Sequence, residues 1–143
     1  MDPVEKWRQA MKSKDINLLD NILDENVVFY SPVVFTPQKG KEITKLYLSA
    51  ASGVFSKNKN LEGNVNQTNK DSEFRYIKEV ITKNHACLEF ESELNGIYIN
   101  GVDLISWNSE GKITEFKVLI RPLQAVNMLH QMMGKMLDKL KAG

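Results

Sequence analysis

The sequence has one cysteine, Cys87, and two histidines, His85 and His130, in 143 residues. A single cysteine cannot form an internal disulfide, and no thiol or imidazole has a partner at the spacing of metal ligands. We therefore expect no metal site and no bound cofactor. The chain has 19 basic and 18 acidic residues, and no basic patch indicates nucleic-acid binding.

Long apolar runs are also missing, since no stretch approaches the length that spans a membrane. The N-terminal residues are charged from Asp2 onward, which is unlike a signal peptide. We expect a cytoplasmic protein with no membrane partner. A chain of 143 residues with 42% hydrophobic content suits a single domain over residues 1–143, with a core that needs no covalent staples.

The chain begins with helical patterns. Asp2 is suited to an N-cap and Pro3 to the first helical position. Apolar residues at helical spacing predict four helices, over residues 3–13, 15–23, 41–55 and about 123–141. A short strand is predicted over residues 27–30, ending at Ser31 and Pro32. Residues 56–72 are polar and predict a mobile loop with a frayed strand near Val65.

The second half of the chain has the alternation of a sheet. Strands are predicted over residues 73–82, 85–94, 97–107 and 112–121, the last three as an antiparallel meander. Asn95-Gly96 is a strong hairpin signal, and residues 108–111 predict a second turn that ends in a glycine with positive φ. Gly101 is too close to Gly96 for another turn, so we expect a bulge or bend there.

Asp103 is the residue with the clearest functional interest, because it lies in an apolar run between Val102 and Leu104. A carboxyl group in such a run is costly unless it is paired, neutral or functional. Arg121 is a candidate cation for it. Both faces of this strand are apolar, so periodicity alone does not say which way Asp103 points.

The order of these elements resembles the nuclear transport factor two-like (cystatin-like cone) superfamily, and within it the SnoaL-like group. The residues that carry the resemblance form three runs, residues 4–15, 28–40 and 102–113. The resemblance implies an α+β fold, with helices wrapped on a strongly bent antiparallel sheet that forms a cone with an internal pocket. Members of the superfamily include ketosteroid isomerase, cyclases, epoxide hydrolases and non-enzymatic proteins.

The resemblance also implies site residues. Ketosteroid isomerase uses a carboxylic acid kept neutral by an apolar site, and Asp103 matches that acid by its place before the hairpin turn. The general-base aspartate is replaced by Ser31, and the tyrosine of the first helix by Trp7. Asp103 is thus the candidate catalytic residue, in a pocket for a small hydrophobic ligand. The predicted lining residues are Trp7, Phe29, Ser31, Phe55, Leu88, Phe90, Ile105, Phe116, Val118 and Ile120.

Two classes of function stay open. The first is a small-molecule binder or an isomerase, cyclase or hydrolase of a small hydrophobic substrate. The second is a non-catalytic dimeric interaction module. With Asp103 inside the cone, Val102, Leu104 and Leu119 point outward, which predicts a homodimer across that face of the sheet. The alternative for Asp103 is a structural carboxyl group satisfied by a backbone N–H or by Trp7.

Overall fold

The computed structural model describes residues 2–56 and 74–142. Within these ranges, four helices and six strands follow one another along the chain. Their bounds are α1 Pro3–Ser13, α2 Ile16–Ile22, β1 Leu23–Tyr30, β2 Gln38–Lys39, α3 Lys41–Ser56, β3 Arg75–Ile81, β4 His85–Leu94, β5 Ile97–Trp107, β6 Ile113–Arg121 and α4 Leu123–Ala142. The predicted α+β class is confirmed, and the frayed strand expected near Val65 lies outside the described residues.

The first two helices begin at the predicted caps. The Asp2 carboxylate accepts a hydrogen bond from the Glu5 backbone N–H at 2.9 Å, and the Asp15 carboxylate accepts one from the Asn17 N–H at 2.9 Å. Each bond satisfies an N–H group that the helix itself leaves without a partner. Helix α1 ends where Lys14 takes a left-handed conformation, with φ of 58°.

The six strands form one sheet in the order β2-β1-β6-β5-β4-β3. All neighbours are antiparallel except β1 and β6, which run parallel through pairs such as Phe29 with Phe116. The meander of β4, β5 and β6 is as predicted. Strand β1 is longer than the predicted residues 27–30, because it begins at Leu23, directly after α2, and contains a register shift before Val28.

The hairpin between β4 and β5 turns at Asn95 and Gly96, which have φ of 53° and 77°. Two successive positive φ values are those of a type I′ turn, whose twist matches that of the strands. Of the bulge or bend expected at Gly101, the bulge is wrong, because pairing continues through this residue without a register shift. Glycine is needed there for space, since a Cβ atom would lie 2.5 Å from the Leu119 carbonyl oxygen and 2.7 Å from the Phe90 ring.

One face of the sheet packs against the helices, and we call it the inner face. Its buried residues form two apolar clusters. The first cluster lies under α1, α2 and the middle of α3, and includes Trp7, Leu88 and Phe116. The second lies under the end of α3 and α4, and includes Phe90 and Leu129. In the described part of the chain, no helix is long and apolar enough to cross a membrane.

Candidate functional site

Strand β5 places Asp103 on the inner face of the sheet. Leu88 of β4 and Val118 of β6 are its cross-strand partners, and Ile105 is the next residue of β5 on the same face. Asp103 as a whole residue is only 5% exposed. Its strand neighbour Leu104 points the other way and is 36% exposed. The predicted inward orientation of Asp103 is therefore what the structure has.

Asp103 receives a hydrogen bond from a tyrosine that the sequence analysis did not single out. The Tyr76 hydroxyl of β3 donates to Asp103 Oδ2 at 2.5 Å. The same hydroxyl oxygen accepts a hydrogen bond from Trp7 Nε1 of α1 at 3.0 Å. Three side chains from three elements thus form a continuous chain, Trp7 N–H to Tyr76 O–H to Asp103. We call it the Trp7–Tyr76–Asp103 chain.

The surroundings change the ionisation of both acidic groups. Burial raises the pKa of Asp103 from 3.8 to about 7, although the hydrogen bond from Tyr76 opposes the change. Burial raises the pKa of Tyr76 well above its usual value. The negative charge of Asp103 and the hydrogen bond that Tyr76 donates to it act in the same direction. Near neutral pH the Tyr76 phenol is therefore protonated, and Asp103 is divided between its neutral and charged forms.

No cation compensates the buried carboxyl group, as far as the structure describes the chain. Arg121, the candidate partner from the sequence, donates instead to Asn100 Oδ1 at 3.2 Å. Arg8 of α1 forms an ion pair with Glu79 of β3 near Tyr76. Asp103 therefore depends on one phenol for its stabilisation, which is why the cost of its burial appears in its pKa.

Five of the predicted lining residues are fully buried in the first cluster: Trp7, Phe29, Leu88, Ile105 and Phe116. The ring centres of Trp7 and Phe116 are 4.7 Å apart, and those of Phe29 and Phe116 are 6.1 Å apart. These rings pack against one another at the α1 side of the Trp7–Tyr76–Asp103 chain. Their contacts are those of a core, so on this side the inner face is closed.

The other side of Asp103 is less covered. Phe90 is buried in the second cluster, whereas Phe55 and Ile120 only partly enter it, and Val118 borders both clusters. Phe74 stacks on Phe90 with ring centres 4.8 Å apart. We call the partly buried side chains around this point the apolar rim; its members are Phe55, Phe74, Tyr76, Val118 and Ile120.

Ser31 lies at the end of β1, as predicted, and its hydroxyl has a local partner. Ser31 Oγ accepts a hydrogen bond from the Val33 backbone N–H at 3.1 Å. This is the arrangement of a turn that a serine forms before a proline. It gives Ser31 a structural part in the loop, and in the described ranges its hydroxyl contacts a backbone N–H rather than a side chain that could act as a base.

Tyr76 could have been found from a pattern in β3. Phe74 and Tyr76 alternate with Arg75 and Ile77, so the two rings share one face of an edge strand. Because β4 lies between β3 and β5, the phenol must reach across one strand to Asp103. Sequence alternation gives the face of a residue, but it does not reveal contacts between strands that are not neighbours.

Two further features bear on what this molecule can hold. A hollow of about 90 Å³ lies between α1, α2 and α3, with Ala10, Leu19 and Leu48 in its lining, away from Asp103. A search of the described residues finds no group of three His, Cys, Asp or Glu side chains that could hold a metal ion.

Neither a family model nor a curated relative matches the sequence, but its fold has clear counterparts. A steroid delta-isomerase from Pseudomonas aeruginosa is 22% identical, with a TM-score of 0.83 over 99% of this chain and 93% of that chain. An uncharacterised bacterial protein with a cystatin-like fold from Silicibacter pomeroyi is 26% identical, with a TM-score of 0.77 over 93% of this chain and 83% of that chain.

The chain has the nuclear transport factor two-like fold. The epoxide hydrolase/cyclase-like enzyme SalBIII, named for pyran ring formation in the polyether salinomycin, is also similar. It is 15% identical, with a TM-score of 0.58 over 82% of this chain and 86% of that chain. The predicted resemblance is thus confirmed at the level of the fold.

Proposed function

We propose that this protein binds a small hydrophobic molecule on the inner face of the sheet, with Asp103 as the polar group that contacts it. The observation that carries the proposal is a carboxyl group, almost fully buried, that has one phenol and no cation as its partner in the described part of the chain. Such a group costs stability, and perturbed acids of this kind concentrate at functional sites.

The apolar rim supports this proposal. Ligand sites in proteins are mostly apolar, with a few polar groups that fix orientation. Here partly exposed rings surround Tyr76 and Val118, beside the buried carboxyl group. The methionines of α4 pack next to them, and methionine side chains adapt to differently shaped partners. A flat apolar ligand that enters over the rim would meet Asp103 with its polar end.

The acid can serve a ligand in two ways, depending on pH. In its neutral form Asp103 donates a hydrogen bond to a carbonyl or ether oxygen, and in its charged form it accepts one from a hydroxyl group. A pKa of about 7 makes both forms available near neutrality. This acid would suit an isomerase, cyclase or hydrolase of a small hydrophobic substrate, and the neighbours named for steroid isomerisation and for pyran ring formation support that class.

A pair of naphthalene probes tests the binding. 2-Acetylnaphthalene carries one carbonyl oxygen, whereas 2-ethylnaphthalene has a similar shape and no hydrogen-bonding group. We expect the ketone to bind about fivefold more tightly than the hydrocarbon below pH 7, as befits one neutral hydrogen bond. Its affinity should fall as pH rises through the Asp103 transition, when the donor is lost.

Two variants separate the carboxyl group from its surroundings. Asp103→Leu should abolish the difference between the two probes. Asp103→Asn keeps a donor that does not titrate, so binding of the ketone should persist and become independent of pH. If neither probe binds to the wild-type protein, or if the ketone gains nothing over the hydrocarbon, the inner face is not a ligand site of this kind.

A second candidate function, the dimeric module, is favoured by the opposite face of the sheet. Leu119 is 49% exposed, Leu104 36% and Val80 of β3 56%. Cross-strand pairing aligns Val102 with Leu119 and Cys87 with Leu104. These residues form a continuous apolar outer patch on a sheet, which is unusual for a surface in contact with water. We propose that a second copy of the chain covers it.

Sedimentation of Leu104→Glu tests the dimer. A charge in the middle of the outer patch should convert the wild-type dimer to a monomer, because two copies of the charge would be buried together at a twofold axis. Leu123→Glu is a matched control, since Leu123 is 74% exposed on α4 and lies outside the patch. A wild-type protein that sediments as a monomer at high concentration would rule the dimer out.

A further inference from the structure

We propose that Trp7 is a positioning residue, whose indole N–H fixes the Tyr76 hydroxyl as the donor to Asp103 Oδ2 and leaves Oδ1 as the oxygen that meets a ligand. The first step is chemical. An indole N–H can only donate, so the Trp7–Tyr76 bond of 3.0 Å uses a lone pair of the phenol oxygen. The phenolic proton is then directed to its other partner, Asp103 Oδ2 at 2.5 Å.

The reverse arrangement is disfavoured for the same reason. If the neutral carboxyl group of Asp103 donated a hydrogen bond to Tyr76, the phenol oxygen would accept two hydrogen bonds. The phenolic proton would then need another acceptor. In the described ranges, the hydrogen-bond partners of the Tyr76 hydroxyl are Trp7 and Asp103. A buried hydroxyl proton without an acceptor is costly. Trp7 therefore keeps the proton of neutral Asp103 away from Tyr76 and available to a ligand.

The charged groups near this chain do not compete with it. Arg8 of α1 and Glu79 of β3 pair with each other beside Tyr76, and the cross-strand partners of Asp103, Leu88 and Val118, are apolar. Hydrogen bonds in a chain polarise one another, so removal of the first donor weakens the next bond. Only the part of the inference that concerns a ligand on Oδ1 rests on the proposed function. Which group donates in each hydrogen bond of the chain can be measured without a ligand.

The test follows the titration of Asp103 by the 13C signal of its carboxyl carbon in the full-length protein. Tyr76→Phe removes the donor and should shift the transition upward from about pH 7. Trp7→Phe should shift it in the same direction by less, roughly twofold in proton affinity. In the double variant, loss of Trp7 should add nothing to the effect of Tyr76→Phe, because Trp7 acts through the phenol.

The second tryptophan provides the control. Trp107 Nε1 donates to the Lys83 carbonyl oxygen at 3.0 Å, away from Asp103, so Trp107→Phe should leave the transition in place. In the wild type, the indole 15N signal of Trp7 should titrate together with Asp103, and that of Trp107 should not. This measurement needs no variant that could fail to fold.

Two results would overturn the proposal. The first is that Trp7→Phe shifts the Asp103 transition by the same amount in the Tyr76→Phe variant as in the wild type. The other is an indole signal of Trp7 that does not respond while Asp103 titrates. Either outcome would make Trp7 a packing residue and would leave the naphthalene binding experiment unaffected. Failure of the naphthalene experiment would, in turn, leave the result of the titration experiment intact.

Discussion

Asp103 and Leu104 are adjacent residues of one strand, and each lies where the other would be expected. The acid is buried on the inner face, while the leucine is 36% exposed on the outer face. Soluble sheets normally have apolar residues inside and polar residues outside. Burial of the acid costs stability, and exposure of the leucine leaves an apolar surface in water. The proposed ligand on the inner face and the proposed second copy on the outer face would each account for one of these two costs.

The largest expected effect that tests this comparison is the loss of a buried ring. Phe116→Ala should lower the free energy of unfolding by about 3–5 kcal/mol, because it removes a ring that packs on both Trp7 and Phe29. Leu119→Ala on the same strand faces outward and should cost under about 1 kcal/mol in the monomer. Urea unfolding of both at one low protein concentration makes the measurement. Equal costs would mean that the two faces do not differ as described.

The second effect is a gain of stability that depends on pH. The Asp103 pKa is about 7 in the folded protein and 3.8 as its reference value, so the folded state binds the proton more tightly. Stability is therefore lost as pH rises from about 4 through 7, and the loss is complete above that window. Asp103→Asn removes the charge. It should raise the free energy of unfolding by up to about 4 kcal/mol at about pH 8.

Well below pH 3.8 both proteins carry a neutral group at this position in the folded and in the unfolded state, and the difference between them should vanish. Thermal melts of the two proteins across this range supply the check. Marked destabilisation by Asp103→Asn at neutral pH would contradict the account, because it would mean that the charged form is favoured by a partner.

A smaller effect concerns the space on the inner face. Gly101→Ala would place a Cβ atom 2.5 Å from the Leu119 carbonyl oxygen, which is backbone and cannot move aside easily. We expect a loss of about 1–3 kcal/mol. Gly134→Ala in α4 is the matched control, since nothing lies within 4 Å of the new methyl group and alanine favours a helix by about 1 kcal/mol. We expect Gly101→Ala to lower the melting temperature and Gly134→Ala to raise it. If Gly101→Ala left the melting temperature unchanged, the strands would be less tightly packed than described.

The smallest expected effect is on a reaction. A β,γ-unsaturated ketosteroid should not be isomerised appreciably above the background rate, because the position of the general base is Ser31, whose hydroxyl is held by the Val33 N–H. The structure corrects part of the sequence argument here. A phenol is present after all, supplied by Tyr76 rather than by the first helix. Absorbance of the conjugated product measures the rate, and clear turnover would show that another group acts as base.

Local signals in the sequence were sufficient for most of the fold. Asn95-Gly96 and the alternation over residues 85–94 predicted the central hairpin, and Asp2 predicted the start of α1. The parallel pairing of β1 with β6 has no local signal, because its partners are distant along the chain. The two-residue strand β2 was missed because so short an element has no period.

The candidate site was predictable in part. Asp103 stands out as an acid in an apolar run, and the resemblance indicated which way it points. Tyr76 was missed because its contact with Asp103 passes over an intervening strand. The pairing of Trp7 with that phenol also depends on how α1 lies on the sheet, and helical periodicity does not contain this information.

The parallel pair of β1 and β6 has a consequence for how the molecule is made. The meander of β4, β5 and β6 joins neighbours along the chain and can form early, whereas β1 must wait on the ribosome until β6 has been synthesised. Until α1 packs on the sheet and Trp7 reaches Tyr76, we expect Asp103 to be more exposed to water, with a pKa nearer to its ordinary value. We therefore expect the raised pKa of Asp103 to arise only once the helices have packed on the inner face, so that an incompletely folded chain carries an ordinary carboxylate at this position.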